Sequence, residues 1–313
     1  MAYLMNISFD NTSRLCRDIW YFDYKGIQFK LIQNNSPKYA DVLLTIANDR
    51  KTSITEEKAY QMAAEYLSAL SWENNSKIKI GDVGGPGRPD GFSLRKAECQ
   101  SFGFHKIPHF GGDNGRNIMT IPFIESDQHR IALSLFREAF GSPELFLSFL
   151  LYWQILEINK TPVEAKEWID QVYTDSRQKL YIDNDQLKFL EQGVKSLGQC
   201  LYDDFRNAIA HIKRESPAQR SIKLDTLEES RRMHVGVRTI EKFVRYYIAK
   251  ELRLSKKLYL VRVNKGFPTY VEMHGMMAKH CEMAYKLPSW NQIISKKPKN
   301  RAIFRTRKEK IMN

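Results

Sequence analysis

Short apolar runs of strand length, separated by turn residues, characterise the first part of the chain. Residues 19–32 hold two β-rich runs, IWYF and IQFKLI, around a polar turn at residues 23–26, and they predict a β-hairpin. Residues 42–46 form a short apolar run, and residues 77–80 alternate between lysine and isoleucine; each predicts a further strand. The fold is therefore expected to begin with a sheet.

An amphipathic helix is predicted within the same region. Ser53-x-x-Glu56 has the capping-box pattern, in which a hydroxyl and a carboxylate satisfy backbone amides at a helix N-terminus. Apolar residues then recur at helical spacing, at Tyr60, Ala63, Ala64, Leu67 and Leu70. One helix should therefore run from the capping box to about Trp72.

Glycine and proline interrupt the pattern after this helix. The glycines and prolines of GGPGRPDG at residues 84–91 predict a turn. A phosphate-binding loop is not predicted, because the segment has neither the P-loop spacing nor the dinucleotide-binding spacing. The pair Asn114-Gly115 predicts a hairpin between residues 99–110 and residues 117–123. The N-terminal domain is expected to end near residue 126.

From residue 127 onward, the pattern changes to longer amphipathic segments with recognisable N-termini. The sequences TPVE at residues 161–164 and TLEE at residues 226–229 both place a threonine before a helix and a glutamate three residues later. Five helices are predicted, over residues 127–140, 142–158, 161 onward, 187 into a polar motif, and 226 onward. Apolar stripes lie on the last two, at Leu187, Leu190, Val194, Leu197 and Leu201 and at Val237, Ile240, Val244 and Tyr247. Because such stripes must be buried, the helices should pack as a bundle.

The predicted fold class is α+β, in three parts. Residues 1–126 are a mixed α/β N-terminal domain, residues 127–254 an all-α helical bundle, and residues 255–313 a basic C-terminal extension. Within the extension, residues 258–263 predict a strand and residues 273–285 predict a helix.

The composition is that of a protein with a sizeable core, because 42% of the 313 residues are hydrophobic. Four cysteines are scattered singly, which predicts neither a zinc ribbon nor a disulfide framework and favours a reducing compartment. The chain shows no signal-peptide pattern and no apolar run of membrane-spanning length. A cytoplasmic protein without membrane association is therefore expected.

The charge is strongly positive and concentrated near the C-terminus. The net charge is +13, and the segment from Lys286 to Asn313 holds nine basic residues and one acid. Such an excess favours a polyanionic partner, RNA or DNA, since basic side chains that neutralise phosphates release counterions. A solvated, partly disordered tail is the alternative interpretation.

A polar motif follows the fourth predicted helix. The sequence LYDDFRNAIAHIKR at residues 201–214 contains Arg206, Asn207 and His211 in the pattern R-N-x-x-x-H. On a continuing α-helix, Asn207 and His211 are four residues apart and share one face, and the long Arg206 side chain can reach the same space. The three side chains can therefore converge on one ligand.

In this setting the motif resembles that of the HEPN superfamily, whose hallmark is an arginine, a polar residue and a histidine late in a helical bundle. The wider layout is similar to proteins labelled methylamine utilization protein MauJ. That similarity rests on RNAIAH at residues 206–211, LSALSWE at residues 67–73 and the glycine-rich segment at residues 83–87.

The HEPN resemblance implies metal-independent RNA cleavage, with no cofactor, in a toxin, antiphage-defence or RNA-processing system. It implies that His211 moves protons at the ribose 2′-hydroxyl and the leaving oxygen, that Arg206 holds the scissile phosphate, and that Asn207 positions both. It also implies a homodimer through the bundle, with two motifs lining one cleft, and an antitoxin or other defence partner.

Other basic residues are predicted to contact RNA. These are Lys213, Arg214, Arg231, Arg232, Arg238, Lys296, Lys297, Lys299 and Arg301. His234 and Arg245 extend the same basic face of the fifth helix, and the alternative is that this face is merely solvated.

Alternatives to catalysis remain open. The bundle could bind RNA or a nucleotide without cutting it, could serve only packing or protein binding, or could be an accessory protein of the methylamine utilization type. Glu157, at the end of an apolar helix, is either a surface acid or a partner of Arg206 or His211. His105 and His109 have no clustered carboxylate or cysteine, so no metal site is predicted.

Overall fold

Five antiparallel strands form the N-terminal sheet of the computed structural model, in the order β2-β3-β4-β1-β5. They are β1 (Tyr3–Asn11), β2 (Ile19–Tyr24), β3 (Ile27–Ile32), β4 (Asp41–Ile46) and β5 (Ile78–Gly84). The structure describes residues 3–12, 19–33, 40–46, 54–85, 120–180, 182, 190, 196–210, 226–254, 258–262 and 269–272. The strands predicted at residues 42–46 and 77–80 are confirmed, the second with a later end.

The predicted hairpin at residues 19–32 is also confirmed. Strand β2 pairs with β3 in register from Ile19 opposite Ile32 to Tyr24 opposite Ile27. Lys25 and Gly26 make the turn with φ of 51° and 79°, the left-handed pair that matches the twist of a two-residue hairpin.

Strand β1 was missed by the sequence analysis although it is an inner strand, paired with both β4 and β5. Its signal is present as the alternation of Met5, Ile7 and Phe9, all buried, with polar Asn6 and Ser8. Alternation of this kind is the period-two pattern of a strand with one face against a core.

Helix α1 (Glu56–Asn74) packs against the sheet through an aromatic cluster in which the Tyr66 ring lies 4.5 Å from that of Phe22. The predicted cap at Ser53 was wrong. Thr55 is the N-cap, and its Oγ1 accepts a hydrogen bond from the Lys58 amide at 3.2 Å, so the helix begins two residues later than predicted.

One acid is buried beneath the hairpin turn. Glu65 of α1 accepts a hydrogen bond from the Tyr24 hydroxyl at 2.5 Å and pairs with Lys25 Nζ at 2.6 Å. Lys25 Nζ also donates to the Ile124 carbonyl at 3.2 Å. The turn is thereby tied both to α1 and to the chain that enters the helical region, which satisfies a charge that burial would otherwise make costly.

The helical region contains the predicted helices, with two boundary corrections. The long helices are α2 (Asp127–Gly141), α3 (Leu145–Leu156), α4 (Pro162–Leu180) and α7 (Leu227–Lys250). The predicted start of α3 at Ser142 was wrong, because Ser142 is the extended residue that ends α2. The capping pairs of α4 and α7 are confirmed, with Thr161 and Thr226 accepting from the amides three residues ahead.

The fourth predicted helix is shorter than expected. Ser196 takes an extended conformation, with ψ of 161°, and caps a helix that begins at Leu197, so no single helix runs from residue 187 into the motif. The segment consists of α5 (Leu197–Cys200), a π-helix (Leu201–Asn207) and α6 (Ala208–Ala210), and is called the motif helix below.

A second sheet combines β6 (Thr120–Pro122), β7 (Leu258–Arg262) and β8 (Thr269–Glu272). The strand predicted at residues 258–263 is confirmed. The predicted hairpin at Asn114-Gly115, the turn from residue 86 and the helix at residues 273–285 lie outside the described residues.

The hydrophobic core continues from the sheet into the helices, and its largest fully buried side chains include Phe9, Phe29, Phe149, Trp153 and Tyr247. The α+β fold class is confirmed. Among the described residues, no helix is both long and apolar enough to cross a membrane.

Arg245 of α7 fastens this helix to the C-terminal end of α1. Its Nη2 donates to Asn75 Oδ1 at 2.5 Å and its Nε donates to Glu241 Oε1 at 2.8 Å. The guanidinium also lies 4.6 Å from the centre of the Phe136 ring and 5.6 Å from that of Trp72. One side chain therefore joins α7, α1 and α2 by charge, hydrogen bonds and ring faces.

We expect Arg245→Ala to lower the free energy of unfolding by about 2–4 kcal/mol, because it removes a charged hydrogen bond, an ion pair and cation–π contacts together. Urea denaturation followed by circular dichroism measures this loss. Arg238→Ala, at an exposed position of the same helix, is the control and should change stability by less than about 0.5 kcal/mol. Equal losses from the two substitutions would contradict the fastening role.

Candidate functional site

The candidate site lies at the end of the π-helix. Residues 201–207 make hydrogen bonds of the i→i+5 type, so Arg206 and Asn207 are displaced from the positions that a regular α-helix would give them. The predicted i, i+4 spacing of Asn207 and His211 begins where this π-helix ends, and it stays a prediction. His211, Lys213 and Arg214 lie outside the described residues.

The start of the motif helix is held by α4. Asp170 accepts a hydrogen bond from the Gly198 amide at 2.7 Å and another from the Ser196 hydroxyl at 2.6 Å. A Cβ on Gly198 would stand 2.2 Å from the carbonyl oxygen of Lys166, so only glycine lets the two helices approach this closely. This contact fixes where the motif helix starts.

Arg206 and Asn207 form a hydrogen-bonded pair at the other end. Arg206 Nη1 donates to Asn207 Oδ1 at 3.1 Å, and the guanidinium lies 5.7 Å from the centre of the Tyr202 ring. The Arg206 side chain is 26% exposed. A guanidinium carries five N–H donors, so this arrangement orients the group and leaves donors for a ligand from solvent.

Glu157, at the end of α3, is the nearest described acid to this pair. Its Oε1 accepts a hydrogen bond from Trp153 Nε1 at 2.7 Å and lies 3.8 Å from Arg206 Nη2. Of the two interpretations left open, the structure favours a partner of Arg206, with a carboxylate that is half-buried. The separation exceeds hydrogen-bonding distance, so the attraction is weaker than that of a direct bidentate pair.

Arg232 of α7 belongs to a buried charge cluster beneath the motif. Its Nη2 lies 3.2 Å from Asp204 Oδ2, its Nη1 lies 3.8 Å from Glu229 Oε1, and its side chain is only 4% exposed. The guanidinium stacks on the Phe205 ring at 4.5 Å. The predicted contact between Arg232 and RNA was therefore wrong, because the side chain faces the protein interior.

Cys200 borders the same cluster. Its Sγ donates to the Leu190 carbonyl at 3.2 Å and lies 3.7 Å from Asp204 Oδ2. Burial, and then the Asp204 charge, raise the pKa of this thiol to about 11, so it stays protonated at neutral pH. A protonated thiol is a poor nucleophile, and Cys200 acts in packing.

The other predicted RNA contacts are either on α7 or outside the described residues. Arg231 and Arg238 are exposed on α7, whereas Arg245, predicted to extend their face, turns inward to Asn75. Lys296, Lys297, Lys299 and Arg301 lie outside the described residues. No group of three potential metal-ligating residues occurs among the residues that the structure describes.

These features define an α+β protein whose helical region carries an arginine–asparagine pair at the end of a π-helix. Residues 132–249 of this region match the family model of the methylamine utilization protein MauJ. The match begins within α2, includes the whole motif helix and ends in the last turn of α7. No curated protein and no solved structure matches the chain.

We expect Arg232→Met to lower the free energy of unfolding by about 3–5 kcal/mol, because it removes the cation from a buried ion pair. Arg232→Met combined with Asp204→Leu should recover part of that loss, since an apolar pair can replace the Arg232–Asp204 ion pair at little cost while Glu229 stays buried beside it. Chemical denaturation of the two variants measures the difference.

The matched control is Arg231→Met at the adjacent, exposed position, where we expect a change of less than about 0.5 kcal/mol. If the double variant is no more stable than Arg232→Met alone, the ion pair is not the reason for the loss.

Proposed function

We propose that this protein cleaves RNA without a metal ion, at a HEPN-like site formed by Arg206, Asn207 and His211. The observation that carries the proposal is the Arg206–Asn207 pair. Its hydrogen bond of 3.1 Å orients a partly exposed guanidinium at a surface of the helical region. A planar, oriented guanidinium suits the paired oxygens of a phosphodiester.

In this proposal His211 accepts the proton of the ribose 2′-hydroxyl, because an imidazole titrates near neutral pH. The 2′-oxygen then bonds to phosphorus as the bond from phosphorus to the 5′-oxygen breaks. The leaving oxygen takes up a proton, and the products are a 2′,3′-cyclic phosphate and a 5′-hydroxyl end. A second histidine, from a paired protomer, would supply that proton.

Arg206 would offset the negative charge that builds on the non-bridging oxygens in the transition state. The nearby Glu157 carboxylate has two opposing effects on this role. It lowers the affinity of Arg206 for any anion, but it also restrains the guanidinium at Nη2, while Asn207 holds Nη1. Because the carboxylate stands 3.8 Å away at a partly solvated position, the first effect is small.

A second candidate function is that of an accessory protein of the methylamine utilization type, without catalysis. The match of residues 132–249 to the MauJ family model is the observation that favours it. Genes for an amine dehydrogenase beside the gene for this chain would support this candidate, and a gene for an antitoxin would support the ribonuclease.

We expect Arg206→Ala and His211→Ala each to lower the rate of RNA cleavage by about 10²- to 10⁴-fold, because they remove charge stabilisation and proton transfer respectively. Gel analysis of a labelled RNA measures the rate. Cleavage should survive EDTA, and it should stop when the 2′-hydroxyl beside the scissile phosphate is removed.

Arg253→Ala, at an exposed position beyond the end of α7, serves as the control and should cleave like the wild type. Circular dichroism must show that the inactive variants remain folded. If the wild type and His211→Ala bind RNA equally and neither cuts it, the protein is a binding module instead.

We also expect self-association, because a cleft with two motifs requires two protomers. Sedimentation velocity at micromolar concentration should show a dimer. A strict monomer, both alone and with RNA, would remove the composite cleft and with it the main argument for catalysis.

A further inference from the structure

A row of basic side chains lies on the solvent side of α7. Arg231, His234 and Arg238 are separated by three and four residues, which places them on one helix face, and all three are exposed. The opposite face of the helix is buried and includes Met233, Gly236, Ile240 and Val244. We call the exposed set the basic row.

The structure separates this row from the other arginines of α7. Arg232 is committed to the buried charge cluster and Arg245 to Asn75 and Glu241. Within the part of the chain that the structure describes, neither Arg231 nor Arg238 takes part in an ion pair. Their positive charge is therefore presented to solvent.

Acidic residues of α7 offset only part of the charge of the row. Glu229 is buried near Arg232, and Glu241 binds Arg245. Glu228, the exposed acid of the first turn, lies three residues before Arg231 and offsets charge at that end of the row, but it is about 120° around the helix from His234 and farther from Arg238 along the axis. The field over the row is consequently positive, which favours a polyanion.

The row is close to the candidate site. A Cβ on Gly236 would stand 2.4 Å from the Phe205 ring, so α7 touches the motif helix one residue before Arg206, through the face opposite the row but at the same turns. Since a helix with its side chains is about 10 Å across, a strand bound to the row would pass within roughly one helix diameter of the motif helix.

We propose that the basic row binds the sugar–phosphate backbone of a single RNA strand whose adjoining segment enters the Arg206 site. The inference deepens the proposed function and takes the RNA substrate from it. Arg231 and Arg238 lie about 10 Å apart along the axis, so they contact different phosphates, and the contacts carry no sequence preference.

The test is binding of a 2′-O-methyl RNA, which the proposed reaction cannot cleave, by the full chain in a salt series. For Arg231→Gln with Arg238→Gln, the slope of log affinity against log salt should fall by roughly 1.4, about 0.7 for each phosphate contact on a single strand. Fluorescence anisotropy with two RNAs of unrelated sequence should give the same shift.

The matched control is Lys58→Gln with Lys250→Gln, which removes the same charge from exposed positions on α1 and at the far end of α7. It should leave the slope unchanged. On cleavable RNA, the Arg231/Arg238 variant should raise KM and keep the wild-type kcat, because the row contacts only backbone away from the reacting atoms.

An equal slope for the two double variants would overturn the inference and point to an acidic protein surface as the alternative partner of the row. A lower kcat with an unchanged slope would also overturn it. A reduced slope in a protein that cleaves no RNA would support the row as a binding surface while rejecting the proposed ribonuclease.

Discussion

The close approach of α7 to the motif helix is the constraint on which the candidate site depends. Gly236 permits it, because any side chain there would meet the Phe205 ring. Phe205 is then held between the Arg232 guanidinium at 4.5 Å and the Phe149 ring at 5.3 Å. Its neighbour Arg206 consequently projects from a segment whose rotation about the helix axis is already fixed, and preorganisation of this kind is what an electrostatic site requires.

The same packing holds both ends of the segment that contains the π-helix. One end of the motif helix is fixed by Asp170 and Gly198, and the other by Phe205 against α7. An i→i+5 turn between two fixed ends changes the direction in which Arg206 and Asn207 point without moving either end. Such turns are frequent at functional sites, since they place side chains that a regular helix cannot place.

Much of the fold followed from the sequence, because hairpins, caps and apolar periodicity are local signals. The threonine caps of α4 and α7 and the hairpin turn at Lys25-Gly26 are of this kind. Arg231 and Arg232 show where local signals fail. The two are adjacent and chemically identical, yet Arg231 faces solvent and Arg232 pairs with Asp204, and only the partner across the bundle decides which. The π-helix had no sequence signal for the same reason.

The fastening of α7 to α1 also bears on how the chain can be divided. The segment that matches a known family, residues 132–249, contains Arg245 and Phe136 but lacks Trp72 and Asn75, against which Arg245 is placed. A fragment with those borders would expose the Phe136 ring and leave the Arg245 guanidinium without its Asn75 and Trp72 contacts. Expression fragments therefore need to retain α1, since recombinant pieces that expose such surfaces tend to aggregate.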